Sequence, residues 1–277
     1  AQHWAALGRS FYRKTHKAKC GWAVMWWVAS RALCAFDHPS DRRTRLSCAQ
    51  LQPMGTLYLV RHGQASFGAD DYDQLSPLGR QQAVRLGEYL RPKLQDKPLE
   101  AVLMGSLKRH RQTWEGIAEG AGLPHTPSVW PGLNEYDSHA LIEAIHPEPL
   151  AKPDTPELYR HHFRLLRDGL QAWMAGRTQP RDMPSYADFV GGIEAALDHV
   201  RHSHTGDVMI VSSGGPISTA VGRVLGTPPE TTIELNLRIR NTALTEFVFT
   251  PKRHMLLTYN TLPHLDSDAH KDWVTFA

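Results

Sequence analysis

The chain has 277 residues, 41% of them apolar and 21% charged, with 21 Gly and 19 Pro, the composition of a folded globular protein; disordered, collagen-like and low-complexity architectures are excluded. The longest uncharged apolar candidate, Cys20 to Ser30, ends at Arg31, short of the ~18 to 20 residues that a membrane-spanning helix needs. Residues 1–53 hold nine Lys or Arg against two Asp, a net charge of +7 within a total of +3, so the other 224 residues carry −4 and have no general attraction for nucleic acid.

That first segment also holds all three cysteines (Cys20, Cys34, Cys48) and four of the eight tryptophans, without sustained helical or strand period. The cysteine spacings match no zinc pattern, so nothing after residue 53 depends on disulfides or thiolate ligands. Residues 1–53 read as a basic, Trp-containing extension and not as an independent domain. The favoured reading makes Met54 the natural start and the protein cytoplasmic. In the alternative, basic Arg13 to Lys19 and apolar Gly21 to Ala29 make residues 1–35 a signal segment for export.

From Met54 onward, apolar runs alternate with stretches of helical period, which predicts one α/β domain over 54–277. Strands are expected at Thr56 to Val60, Glu100 to Met104, Asp207 to Ser212, Ala243 to Thr250 and His254 to Tyr259. Helices are expected at Ser76 to Leu94, Leu107 to Ala121, Thr155 to Ala175, Ser185 to His202 and Pro216 to Leu225, with Pro124 to Pro156 as a large irregular loop over one face.

Three strand ends carry the chemistry. The first strand stops at Arg61-His62-Gly63-Gln64, and in open α/β sheets ligands bind beyond the carboxyl ends of strands. The second leads into Ser106-Leu107-Lys108-Arg109-His110-Arg111-Gln112-Thr113, a helix start that, with Arg109, favours an anion; Lys108 and Arg111 read as its solvated face. The third runs into Ser212-Ser213-Gly214-Gly215-Pro216, a turn whose backbone N–H groups can form a further anion nest. The clusters Asp198, His199, His202 and His204, and His161 with His162, lack tetrahedral spacing, and no metal is expected.

Taken in order, Arg61-His62-Gly63, Leu75 to Ala83, Ser106 to Thr113, Leu133-Asn134-Glu135, Val211 to Ile217 and Asn241-Thr242 resemble the signatures of the histidine phosphatase superfamily, which includes the phosphoglycerate mutases. The resemblance implies a three-layer α/β/α sandwich around a mostly parallel sheet. It implies His62 as a nucleophile that accepts the phosphoryl group, Glu135 as general acid, and a phosphate site of Arg61, Arg109, Gly63, Gln64, Ser213 and Gly214. Asp137 is the substitute carboxylate if the register differs. The expected activity is hydrolysis of a phosphate monoester of a small metabolite through a phosphohistidine, with no cofactor; the sequence does not specify an oligomeric state.

One position departs from the pattern, because Ser213 stands where the superfamily usually has a second histidine that donates to the phosphoryl group. Losing one preorganised donor slows such an enzyme by roughly a hundred- to a thousandfold. The expectation is therefore modest activity, or a loop histidine, His139 or His146, in the missing role. The alternative is a phospho-ligand binding module without turnover. A mutase is disfavoured by Tyr136-Asp137-Ser138-His139 after Glu135, and a serine hydrolase at Ser213 by Val211 in place of the glycine that a nucleophile elbow requires.

Overall fold

The structure, a computed structural model, describes residues 54–66, 73–124, 126–150 and 155–276. The basic extension 1–53 lies outside the described residues. Residues 51–277 form one compact unit.

Six strands form one sheet: β1 (Gly55–Arg61), β2 (Leu99–Met104), β3 (Ser128–Val129), β4 (Asp207–Ser212), β5 (Leu244–Thr250) and β6 (Arg253–Thr261), in the spatial order β3-β2-β4-β1-β5-β6. The pairs β3-β2, β2-β4 and β4-β1 are parallel, whereas β1-β5 and β5-β6 are antiparallel. The helices are α1 (Pro77–Asp96), α2 (Lys108–Ala121), α3 (Ser138–Glu143), α4 (Pro156–Met174), α5 (Tyr186–Ser203), α6 (Gly214–Leu225) and α7 (Pro229–Asn236).

Side-chain alternation along the central strands explains the layers. Leu57 and Leu59 of β1, with Val208 and Ile210 of β4, face a core shared with α4, α5 and α6. Tyr58, Val60, Met209 and Val211 face the opposite core, built with α1 and α2. Both faces are therefore covered, and the expected α/β/α sandwich is what the chain forms.

Helix starts follow local chemistry. Ser76, Thr155 and Ser185 occupy N-cap positions, and each side chain accepts a backbone N–H from the first turn. Ser76 has a second task, donating to Gln64 Oε1 at 2.8 Å, so the start of α1 is fastened to the loop after β1. Helix α6 begins at Gly214, two residues ahead of Pro216; Pro216 is tolerated there because the first turn of a helix has no intrahelical use for its N–H. The region expected as an irregular loop contains β3, the 3-10 turn Pro131–Leu133 and the short helix α3.

Candidate phosphoryl-transfer site

The parallel strands β1, β2 and β4 end on one rim, and backbone hydrogen bonds tie their following loops together. His62 N–H donates to the Ser212 carbonyl at 2.9 Å and Gly105 N–H to the Val211 carbonyl at 3.2 Å. On the other side, Thr242 N–H and Asn241 Nδ2 both donate to the His62 carbonyl, each at 3.2 Å. The backbone of His62 is thus anchored from two directions. Its side chain is 5% exposed.

His62 Nδ1 lies 2.7 Å from the Gly63 carbonyl, which only accepts, so the proton sits on Nδ1 and Nε2 keeps its lone pair. Burial, then the positive charges of Arg61 and Arg109, hold the imidazole well below its ordinary pKa, against a smaller opposing effect of the Gly63 carbonyl. The ring is therefore neutral at pH 7.

Arg61 donates through Nη1 to the carbonyls of Ile239, at 2.6 Å, and Phe276. Arg109, in the first turn of α2, pairs with Asp73 at 2.8 Å, and the same carboxylate accepts the Lys108 N–H. The charges of Arg61 and Arg109 act on both His62 and Glu135.

Glu135 follows the 3-10 turn at Leu133, and its carboxylate accepts the Gly215 N–H, at 3.1 and 3.2 Å to its two oxygens. The approach requires glycine, since a Cβ at 215 would lie 2.2 Å from Glu135 Oε1. Burial raises the Glu135 pKa, opposed by the Gly215 N–H and by Arg109 and Arg61. Of the N–H groups at this turn, that of Gly215 is thus taken by a carboxyl group of the protein itself.

Gly63 N–H donates to Thr113 Oγ1 and Gln64 N–H to Gln82 Oε1, so both serve the loop's shape. Asp137 caps α3 through the N–H groups of His139 and Ala140. Of the two loop histidines, His146 packs edge-on against His161, and the charge of His139 acts on His162. The imidazole that meets Ser213 is His110, whose Nε2 lies 2.7 Å from Ser213 Oγ. Its ring centroid is 5.9 Å from that of His62. His110 belonged to a recognised signature, but no local spacing signalled a partner 103 residues away.

The histidines with a metal reading have other partners. His204 bonds to Glu100, His199 packs on Trp130, and Asp198 pairs with Arg201. Among the described residues, no cluster of three or more His, Cys, Asp or Glu is arranged to hold a metal ion. Nor is any described helix long and apolar enough to cross a membrane.

Solved structures share this architecture at low identity. A phosphoserine phosphatase from Entamoeba histolytica, crystallised with phosphoserine, aligns over 76% of this chain and 99% of its own, with 20% identity and a TM-score of 0.54. A phosphoglycerate mutase from Bacillus anthracis aligns over 77% and 96%, with 17% identity and a TM-score of 0.54. A mycobacterial glucosyl-3-phosphoglycerate phosphatase aligns over 75% and 99%, with 22% identity and a TM-score of 0.52. The fold is that of the phosphoglycerate mutase-like α/β proteins. A search of curated proteins returned no match. Residues 57–262 match the family model of the histidine phosphatase superfamily, branch 1, and the chain belongs to that superfamily. Membership supports chemistry of the phosphatase or mutase type.

Proposed function

We propose that residues 54–277 are a catalytic domain that hydrolyses phosphate monoesters of small molecules through a phosphohistidine at His62. The observation that carries this reading is a neutral, backbone-anchored imidazole with Nε2 unprotonated, beside two guanidiniums and a carboxyl group whose pKa burial raises. Phosphoryl transfer asks mainly for alignment and neutralisation of equatorial oxygens, which Arg61 and Arg109 supply with planar multidentate geometry.

In the first step Nε2 forms a bond to phosphorus as the ester P–O bond breaks, and Glu135 gives its proton to the departing oxygen. In the second, water attacks phosphorus, its proton passes to the Glu135 carboxylate, and the N–P bond breaks to release inorganic phosphate. Phosphorylated carboxylic acids such as phosphoserine, found with one neighbour, or 3-phosphoglyceric acid, found with another structure of the same phosphatase, are sensible first substrates.

Ser213 favours one second reading, binding of phosphorylated ligands without turnover. Both are tested by screening phosphorylated metabolites for phosphate release while following 32P transfer to protein. Acid-labile label that disappears in His62→Ala, with phosphate release at least a thousandfold above that variant, is the expected result. Saturable binding with neither label nor release identifies the second reading.

A further inference from the structure

The two glycines that open α6 leave no room for side chains of their own, because groups from other elements fill that space. A Cβ at 214 would lie 2.7 Å from Asn236 Oδ1. A Cβ at 215 would lie 2.2 Å from Glu135 Oε1 and 2.5 Å from the nearest carbon of the Tyr136 ring. Gly215 therefore carries the Glu135 carboxyl on its N–H and the neighbouring aromatic ring on its Cα side.

Hydrogen bonding alone holds that carboxyl loosely. It takes the Gly215 N–H at 3.1 and 3.2 Å and the Tyr136 N–H at 3.3 Å, the long end of the range for such bonds. Packing has to supply the rest, and the Tyr136 ring is the packed group. Trp173 and Phe189, both buried, meet it edge-to-face at centroid distances of 6.0 and 6.2 Å. At its far end Asn236 Nδ2 donates to the Tyr136 hydroxyl at 2.5 Å. Asn236 is the last residue of α7, which is itself tied down on two sides. Glu234 pairs with Arg167 of α4 at 2.6 Å, and the Leu235 carbonyl accepts the hydroxyl of Tyr259 in β6 at 2.6 Å. Asn236 thus lies against Gly214 while gripping the ring that lies against Gly215, and it joins the end of α7, the start of α6 and the Glu135 loop.

We propose that Tyr136 and Asn236 are positioning residues for the general acid: the Asn236 amide holds the Tyr136 ring on Gly215, and the ring keeps Glu135 in the seat from which it delivers its proton. An acid has to be aimed as well as protonated, and a displacement of about 1 Å costs a reaction on the order of a hundredfold. Neither residue touches the phosphoryl group, and no proton passes through either. The inference deepens the phosphatase reading and rests on Glu135 being the proton donor to the leaving oxygen.

The test uses the full chain and compares kcat/KM on two esters, glycerol 2-phosphate, whose leaving oxygen needs a proton, and p-nitrophenyl phosphate, whose leaving oxygen does not. Tyr136→Phe keeps the ring and loses the hydroxyl; Asn236→Leu keeps the bulk and loses the amide. Each should lower kcat/KM on glycerol 2-phosphate by about tenfold or more and leave p-nitrophenyl phosphate within about threefold. The double variant should be no slower than the slower single, because both remove the same bond. In Glu135→Gln, which has no proton to deliver, adding Tyr136→Phe should change neither ester by more than about twofold. Equal losses on the two esters, wild-type values in both singles, losses that multiply in the double variant, or a further fall in the Glu135→Gln background overturn the proposal. With His62 labelled by p-nitrophenyl [32P]phosphate, any of those outcomes leaves the phosphatase reading intact, whereas an unlabelled wild type overturns both. Should the thermal midpoint show Tyr136→Phe to be unfolded at the assay temperature, Asn236→Leu decides by the same ratio of esters.

Discussion

The charges of the same two guanidiniums act on His62 and Glu135, yet burial shifts the pair in opposite senses: the imidazole is lowered and the carboxyl raised. For catalysis the signs combine simply. Because His62 is lowered, kcat/KM should not fall as pH drops through 6.5; because Glu135 is raised, kcat/KM should decline as pH rises through its shifted value. A pH profile on an alkyl phosphate checks both limbs. Glu135→Gln should cost about a hundred- to ten-thousandfold on that ester and far less on p-nitrophenyl phosphate, whose leaving group needs no proton. Arg61, His62, Arg109 and Glu135 were legible in the sequence because each belongs to a short motif in a fixed order. His110 was not, since its meaning lies in a contact between α2 and the start of α6, and chain spacing carries no trace of that contact.

Helix boundaries were legible where a side chain announces them. Ser76, Thr155 and Ser185 precede their helices with an oxygen that the first turn needs, and the strands β1, β2, β4, β5 and β6 are apolar enough to stand out. Elements whose pattern is too short escaped: β3 is two exposed residues held by pairing to β2, and α3 is six residues long and buries three in a row, Ala140, Leu141 and Ile142, which show no helical period. Helix α7 has a proper proline start at Pro229, but Thr231, Thr232 and Ile233 are β-branched and mask its period. The double role of Ser76 gives a test at this level. Ser76→Ala removes a cap and the bond to Gln64, so it should lower unfolding free energy by about 1 kcal/mol or somewhat more, measured by urea denaturation. It should also raise KM, because Gln64 follows the His62-Gly63 pair directly.

The folded chain buries imidazoles beyond His62. His110, His254 and His264 are pushed down to about 3, 4 and 3, in each case mainly by burial. The unfolded chain, with ordinary values near 6.5, therefore binds more protons as pH falls below that point. Their contribution to stability is complete above about pH 6.5 and is lost progressively toward pH 3 to 4. Denaturation midpoints should drop between pH 7 and pH 5, and His264→Asn should flatten that slope relative to its own value at pH 7. The alternation of strands and helices made the layered α/β domain legible, and the resemblance implied its mostly parallel sheet. The antiparallel edge of β5 and β6 was not legible, because the short turn between them, at Pro251 and Lys252, was the sole clue to a hairpin.

Past β6 the polypeptide returns to the end of β1: Gln82 reaches the Trp273 carbonyl, Asn241 receives Thr275 Oγ1, and Arg61 grips the Phe276 carbonyl. Any segment attached after this point begins within touching distance of the Arg61 guanidinium, whereas one inserted at the surface loop near Lys252 begins at the far end of the strands. Preparations bearing a carboxy-terminal tag should accordingly be assayed only after its removal.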